Sequence, residues 1–247
     1  MTEPMWTPSP ERAAATNIRA FMDWQSAERG RHFEDYRALH AWSVAELEAF
    51  WSDFWDWAGV IAETKGERIL IDADRMPGAR FFPDARLNFA ENLLRHAGDG
   101  PALIFRREDG LESETSGRAL TALASRVAQA LLAMGVEPGD RVAAYLPNMP
   151  EAIACMAGAA AVGAVWTSCS PDFGVQGVLD RFGQVEPRVV FAVDGYVYAG
   201  KRLDMRKKVS EVAQGLPKLE KLVVIPFLEE APDLSGMPDA TAFADWL

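Results

Sequence analysis

The chain has 247 residues, enough for one large domain or for one domain with an N-terminal attachment, and its 49% hydrophobic and 25% charged residues are those of an ordinary folded protein. Its 25 basic against 36 acidic side chains give a formal net charge of −11, which repels nucleic-acid phosphates and anionic lipid and sets the chain against both as partners. The start, Met-Thr-Glu-Pro-Met-Trp, has no basic region followed by an apolar one, so no signal peptide is expected; two cysteines, Cys155 and Cys169, suit a reducing cytoplasm.

In chain order, Ser9-Pro10 supplies an N-cap and a first-turn proline, and Ile18, Phe21, Met22 and Gln25 face one way up to Gly30. This predicts one continuous helix. Ser43 with Glu46 reads as a capping box opening a second helix that Gly59 closes. Leu47, Phe50, Trp51, Phe54, Trp55 and Ala58 recur in it at helical spacing, and we read them as a packing face docked on a larger body rather than as a ligand shelf. From Pro101 strands and helices alternate. Ala102–Phe105 and Leu111–Thr115 flank the hairpin signal Asp109-Gly110. Ser116 caps a helix carrying Leu120, Leu123, Ala124, Val127, Leu131 and Leu132, which Gly135 ends. There follow strand Arg141–Leu146, helix Pro150–Val162, strand Ala164–Thr167, helix Val175–Glu186, strand Val189–Val193, helix Leu203–Gln214 and strand Leu222–Pro226. The run Ala152–Trp166 is shorter than the roughly 20 residues that span a bilayer. Helices between apolar strands imply right-handed crossovers and a parallel sheet covered on both faces, an α/β fold. The closing residues, with Pro232, Gly236 and Pro238, read as a connecting loop. On that reading Val223, Val224 and Ile225 form an unpaired sheet edge through which the chain self-associates.

No catalytic constellation assembles from these residues. His32, His40 and His96 have neither metal-ligand spacing nor a cysteine pair, Asp239 and Asp245 read as solubilising, and Gly174 with Gly177 is half of a dinucleotide fingerprint. We therefore assign no catalytic residue and no metal ligand. One charge feature stands apart: Lys201, Arg202, Arg206, Lys207 and Lys208 crowd together in an acidic chain, opposed only by Asp204. The cluster lies past the carboxyl end of a strand, where open α/β sheets bind ligands. Gly200 permits close backbone approach, and Lys201 is expected just before a helix N-terminus. Two readings stay open, a solvated helix face and a phosphate site.

Four segments carry a resemblance over nearly the whole chain. They are Phe81–Leu94 (FFPDARLNFAENLL), Gly139–Val142 with Tyr145–Ala152, and, most specific, Ser168-Cys169-Ser170-Pro171-Asp172-Phe173-Gly174 within Gly163–Pro187. The chain resembles the acetoacetate–CoA ligases, within the AMP-forming acyl-CoA synthetases. The resemblance implies a helical N-terminal cap over residues 1–98. Residues 99–247 would be the first part of an AMP-binding, adenylate-forming domain with a partial parallel sheet. It implies two steps: the acid's carboxylate attacks the α-phosphate of ATP, and coenzyme A then displaces AMP, giving acetoacetyl-CoA. ATP, coenzyme A and Mg²⁺ follow as cofactors, acetoacetate as substrate, and lipid metabolism as setting. The family's Ser/Thr/Gly-rich phosphate loop ending in Pro-Lys does not occur in these residues, so the resemblance places the chain upstream of it and inactive by itself. Another short-chain acid–CoA ligase, or a non-catalytic module binding a nucleotide or coenzyme A, are the alternatives. Ala119 stands where relatives place an acidic residue, which should weaken that helix cap slightly. Tyr198, Ala199, Gly200 and Lys201 match a basic-x-Gly-basic segment that contacts the adenine and 3′-phosphate of coenzyme A, with Tyr198 in place of the first basic residue. Ser170, Pro171 and Asp172 match the loop lining the coenzyme's approach.

Overall fold

Where one helix is predicted after Ser9-Pro10, a second N-cap splits it. The computed structural model describes residues 5–237 and 239–247, so residues 1–4 of the segment read for a leader, and Pro238, lie outside the described residues. The chain forms two compact units, residues up to Leu87 and residues from Asn88. In the first, α1 (Pro10–Ala14) is capped by Ser9, and the Thr16 hydroxyl accepts from the Arg19 N–H to start α2 (Asn17–Arg29). Gly30 closes α2 at φ 65°, the left-handed region that glycine enters without strain. The predicted Ser43–Glu46 capping box does not form. Asp35 accepts from the Ala38 N–H and starts α3 (Tyr36–Ala45) earlier, so Ser43 lies inside that helix and donates to the His40 carbonyl. Glu46 is then the joint between α3 and α4 (Leu47–Ala58), with no side-chain cap of its own.

The aromatic stripe of α4 packs to both sides within this unit. Phe50, Phe54 and Trp57 meet Phe21, with ring centroids 6.1, 6.0 and 5.3 Å away. Trp51 and Trp55 turn instead to Phe81 and Phe82 at 5.5 and 4.5 Å. Phe81 belongs to β2 (Arg80–Phe81), which pairs antiparallel with β1 (Leu70–Ile71). Phe21, Met22 and Leu39 are the buried centre.

The second unit opens with α5 (Phe89–Leu94), which the sequence division groups with residues 1–98. Its cap Asn88 donates to the carbonyls of Ala160 and Ala161 in α7 (Pro150–Ala161), so α5 belongs physically with the second unit. β3 (Pro101–Arg106) and β4 (Glu112–Ser116) form the expected hairpin around Asp109-Gly110. The Ser116 hydroxyl caps α6 (Gly117–Ala133) by accepting from the Ala119 N–H at 3.1 Å. α6 and α7 cross closely: a Cβ on Gly158 would come within 2.6 Å of Val127, which explains a glycine in mid-helix. Then come β5 (Arg141–Tyr145), β6 (Val165–Cys169), α8 (Val175–Val185), β7 (Val189–Val193), β8 (Gly195–Tyr198), β9 (Lys201–Asp204), α9 (Arg206–Gln214), β10 (Lys221–Ile225), β11 (Ala240–Ala242) and α10 (Phe243–Trp246). Five strands make one parallel sheet in the order β11-β10-β7-β5-β6. On β10, Val223 and Ile225 face the core under α6, α7 and α10, while Leu222 and Val224 face that under α8 and α9.

Two sequence expectations are corrected. The helix read as Leu203–Gln214 begins only at Arg206, because Lys201–Asp204 is a strand paired with Gly195–Tyr198. The closing residues are not all loop. After Gly236 the chain turns back, and Ala240–Ala242 pairs with Leu222–Val224. β10 thus has a neighbour on each side, and Val223, Val224 and Ile225, at most 2% exposed, are interior rather than edge. Three small or β-branched residues after a Pro/Gly loop carry too short a pattern to read as a strand.

Two polar side chains, Gln25 and Asp53, are buried in the first unit. Asp53 of α4 is 6% exposed and accepts from Arg29 Nε at 2.7 Å, Arg31 Nη1 at 2.5 Å and Gln25 Nε2 at 3.1 Å. Burial opposes its ionisation, but these hydrogen bonds outweigh it and hold the carboxyl below its ordinary range. A carboxyl lowered on folding adds stability above its unfolded value, near about pH 4, and loses it as pH falls toward the folded value. Asp53→Asn should therefore cost about 2–4 kcal/mol at neutral pH and flatten the acid limb of unfolding below about pH 4. Trp6, Trp24, Trp42, Trp51, Trp55 and Trp57 are six of the chain's eight tryptophans, so indole fluorescence reads this unit. Superimposable acid profiles for parent and variant would refute the role.

Candidate functional site

The loops that could meet a ligand leave the carboxyl ends of β5, β6, β7 and β10, the binding side of an open parallel sheet. After β6 the chain makes a tight turn in which the Phe173 N–H donates to the Ser170 carbonyl at 3.1 Å. The Ser170 hydroxyl donates to Asp172 Oδ2 at 3.0 Å. Ser170 and Asp172 are exposed and Pro171 is buried. Below the turn stands Tyr145 on β5, fully buried, its hydroxyl donating to the Phe173 carbonyl and lying 3.3 Å from the Pro171 carbonyl. Burial, with Tyr196, Cys169 and Asp172 nearby, pushes the Tyr145 phenol up to about 12. Burial and then the Asp172 carboxylate raise Tyr196 as well, whose ring packs in the buried cluster that holds Tyr145 and Cys169. Burial raises the Cys169 thiol, against the nearby Arg181.

The second group sits on the β8–β9 hairpin. Its loop is Ala199-Gly200 with φ of 50° and 73°, the pair of left-handed residues that a two-residue hairpin matching strand twist requires. The register pairs Tyr198 with Lys201 and Tyr196 with Leu203, so Tyr196, Tyr198 and Lys201 share one face. The structure thus brings the two sequence-predicted segments to one buried cluster, where Tyr196 packs with Tyr145 and Cys169: Tyr198, Gly200 and Lys201 lie at the tip of the hairpin that Tyr196 belongs to, and Ser170, Pro171 and Asp172 in the turn that Tyr145 binds.

Lys201 does not precede a helix N-terminus as expected. It begins β9, and the first amide of α9, that of Arg206, is taken by Asp204 Oδ1 at 2.8 Å. Of the rest of the basic cluster, three members are engaged and Lys208, like Lys201, makes no ion pair among the described residues. Arg206 pairs with Asp204 and Glu229, Lys207 lies 3.9 Å from Glu211, and Arg202 donates to the Leu228 carbonyl. Among the described residues Lys201 makes no ion pair, and Tyr198 beside it is 57% exposed. The Gly200 N–H, by contrast, donates to Glu108 Oε2 at 3.1 Å.

Sequence reasoning missed Tyr145, Tyr196 and Asp194. Asp194, 3% exposed at the end of β7, takes four backbone contacts from the loop after β10: Phe227 N–H at 2.7 Å, Leu228 N–H at 3.1 and 3.2 Å, and Glu229 N–H at 2.9 Å. Its own carbonyl accepts from the Met205 N–H at the head of α9. The Asp194-Gly195 pair after an apolar strand was the available signal, since aspartate at a strand end binds nearby amides.

An unpaired ammonium beside an exposed aromatic face suits a nucleotide's phosphate and base. For the phosphates of ATP and for Mg²⁺ the fit fails. Among the described residues no three His, Cys, Asp or Glu side chains gather as a cation site, and no phosphate-cradling loop is present.

A parallel sheet covered by helices on both faces, with its free loops at the carboxyl ends of the strands, defines a doubly wound α/β domain. The chain belongs to the AMP-binding enzyme family, which matches residues 89–245, and residues 36–93 match the acetyl-coenzyme A synthetase N-terminus family. It is 51% identical over 232 residues to acetoacetyl-coenzyme A synthetase of Rhizobium meliloti (strain 1021), covering 94% of this chain and 35% of that one. The acetoacetyl-CoA synthetase of Macaca fascicularis is 37% identical over 98% of this chain and 37% of its own. Among solved structures, acetoacetyl-CoA synthetase from Streptomyces lividans superposes with a TM-score of 0.91 at 43% identity, over 99% of this chain and 38% of that one. The chain spans about a third of the length of the curated relatives it matches.

Asp194→Ala strands three amides in a half-buried loop. It should lower stability by about 2–4 kcal/mol and speed amide hydrogen exchange at Phe227, Leu228 and Glu229 first. Exchange that speeds uniformly across the sheet would show that Asp194 has no local latching role.

Proposed function

We propose that these residues serve an acetoacetate–CoA ligase. The acid's carboxylate oxygen attacks the α-phosphorus of ATP and pyrophosphate leaves. The coenzyme A sulfur then attacks the acyl carbon, the carbon–oxygen bond to AMP breaks, and the thiol proton is released. The single observation that carries this is the 51% identity over 94% of the chain to a synthetase of that name. A second relative narrows the acid by its chemistry. The chain is 33% identical over 90% of its length to malonamoyl-CoA synthetase vrtB of Penicillium aethiopicum. Acetoacetate and malonamate are both short acids with a carbonyl at the third carbon, so the proposed substrate class is the 3-carbonyl carboxylates, acetoacetate first. That class fits lipid metabolism. The free, buried Cys155 and Cys169 favour a reducing, cytoplasmic setting, and no helix among the described residues is long and apolar enough to cross a membrane.

In this reading Lys201 meets the 3′-phosphate of coenzyme A, Tyr198 stacks on its adenine, and Ser170, Pro171 and Asp172 line its approach. Gly200 lets the backbone come close once Glu108 releases its N–H. ATP and Mg²⁺ depend on groups outside these residues, so the 247-residue chain should form no AMP by itself. A chimera joining it to the rest of the Rhizobium meliloti synthetase tests the reading. Acetoacetate-dependent AMP formation within about tenfold of that synthetase's own rate supports it. A cooperatively melting chimera that prefers acids without the 3-carbonyl, or acid-dependent AMP formation by the 247-residue chain alone, overturns it.

Lys201 gives a sharper test in the same chimera. A charge-assisted contact worth about 1–3 kcal/mol predicts that Lys201→Ala raises KM for coenzyme A roughly tenfold to a hundredfold. Acetoacetate-dependent pyrophosphate exchange, which precedes the thiol step, should stay near the parent's. Dephospho-coenzyme A should serve mutant and parent about equally. A mutant that discriminates against it as strongly as the parent removes Lys201 from the phosphate.

A further inference from the structure

We infer that Tyr145 and Tyr196 are positioning residues for the coenzyme, a two-phenol clasp that fixes the gap between the Ser170–Phe173 turn and the β8–β9 hairpin. The inference rests on the proposed reading of turn and hairpin as the two sides of the coenzyme A path.

The turn has few restraints of its own. Ser170, Asp172, Phe173 and Gly174 are exposed, and Gly174 starts α8 without a side-chain cap. What fixes its height above the sheet is Tyr145. That residue lies on β5, between β6 and β7, and is wholly buried, so the sheet sets the position of its hydroxyl. The hydroxyl carries one proton and faces two carbonyls, those of Pro171 and Phe173, both in the turn. A phenylalanine ring would fill the same core, so the oxygen is explained by the turn and not by packing. The phenol, held protonated by its buried surroundings, stays a donor at any working pH.

Tyr196 closes the clasp from the side. It is 8% exposed at the base of the hairpin and packs in the same buried cluster as Tyr145 and Cys169, the residue before the turn. Lys201 and Tyr198 stand two residues farther along the same hairpin face, as a cross-strand pair. A turn that drifts from Tyr145 and Tyr196 therefore drifts from Lys201. Adenylation, which uses no coenzyme, is indifferent to that distance.

The test uses the active chimera, with Tyr145→Phe as the main variant and Tyr196→Phe as a second that changes a less buried group. The clasp predicts that each raises KM for coenzyme A by about tenfold while pyrophosphate exchange and melting temperature stay near the parent's. Hydrogen exchange at the turn amides, Asp172 to Val175, should quicken in the 247-residue chain carrying Tyr145→Phe. If Lys201→Ala and Asp172→Ala raise this KM but both phenylalanine variants leave it unchanged, the clasp is refuted and the coenzyme reading stands. If Lys201→Ala and Asp172→Ala leave it unchanged, the coenzyme reading itself falls and the positioning role with it. Equal loss of pyrophosphate exchange and thioester formation in a phenylalanine variant would show general disorder of the core, and also overturns the inference.

Discussion

The candidate site depends on one buried carboxylate. Asp194 ends β7 by binding amides from the loop after β10, and its carbonyl starts α9 through Met205. Parallel strands leave their carboxyl ends as separate loops, because each crossover returns to the far edge. Something must tie those loops together if they are to form a surface, and here one side chain ties two of them. The hairpin that carries Tyr198 and Lys201 springs from the next residue, Gly195, where a Cβ would run into the Leu228 side chain and come within 2.5 Å of the Leu203 carbonyl. A glycine after the aspartate is thus a condition of the latch.

The opposite end of the sheet is built for stability. Arg188 donates to Asp140 at 2.5 Å, to both Glu220 oxygens at 2.7 and 2.8 Å, and to the Gly135 carbonyl at 2.8 Å. Hydrogen bonds to backbone and arginine hold Asp140 low, and Arg188 does the same for Glu220. Arg141 beside it binds the carbonyls of Val185 and Glu186, closing the end of α8. Charges at the amino ends are consumed by one another. At the carboxyl ends Lys201 and Lys208 are left over among the described residues, and of the two it is Lys201 that stands beside an exposed aromatic ring, that of Tyr198.

The central sheet was legible because β5, β7 and β10 are apolar runs bounded by turn chemistry, and α6 announces itself by its Ser116 cap and α7 by its first-turn proline. What failed to show was short or non-local. Asp35 outcompeted the Ser43–Glu46 pattern because a capping pattern cannot say which of two candidates the chain reaches first. Ala199-Gly200 is a weak hairpin signal, with alanine in a conformation that costs about 1 kcal/mol, so the strand after it was read as the start of a helix. Tyr145 gave no signal of its role, and Asp194 only that of a strand-end turn, for another reason. Their partners lie about thirty residues away, and only the sheet topology brings them together. Lys201 was found by its charge cluster and by resemblance, the turn residues by resemblance alone; that Tyr196 packs with Tyr145 between them follows only from the fold.

The contact between Glu108 and the Gly200 amide gives the hairpin tip an internal occupant. A carboxylate there is a built-in competitor: an incoming anion must evict it or coexist with a like charge. Eviction also reaches beyond the tip. Glu108 sits between Arg107, which grips Asp109 and the Phe227 carbonyl, and the β3–β4 turn itself. Occupancy of the tip by an anion would thus displace Glu108 while Arg107 goes on holding the β3–β4 turn to the Phe227 carbonyl. Added salt, by screening the same repulsion, would shift the balance between the two occupants.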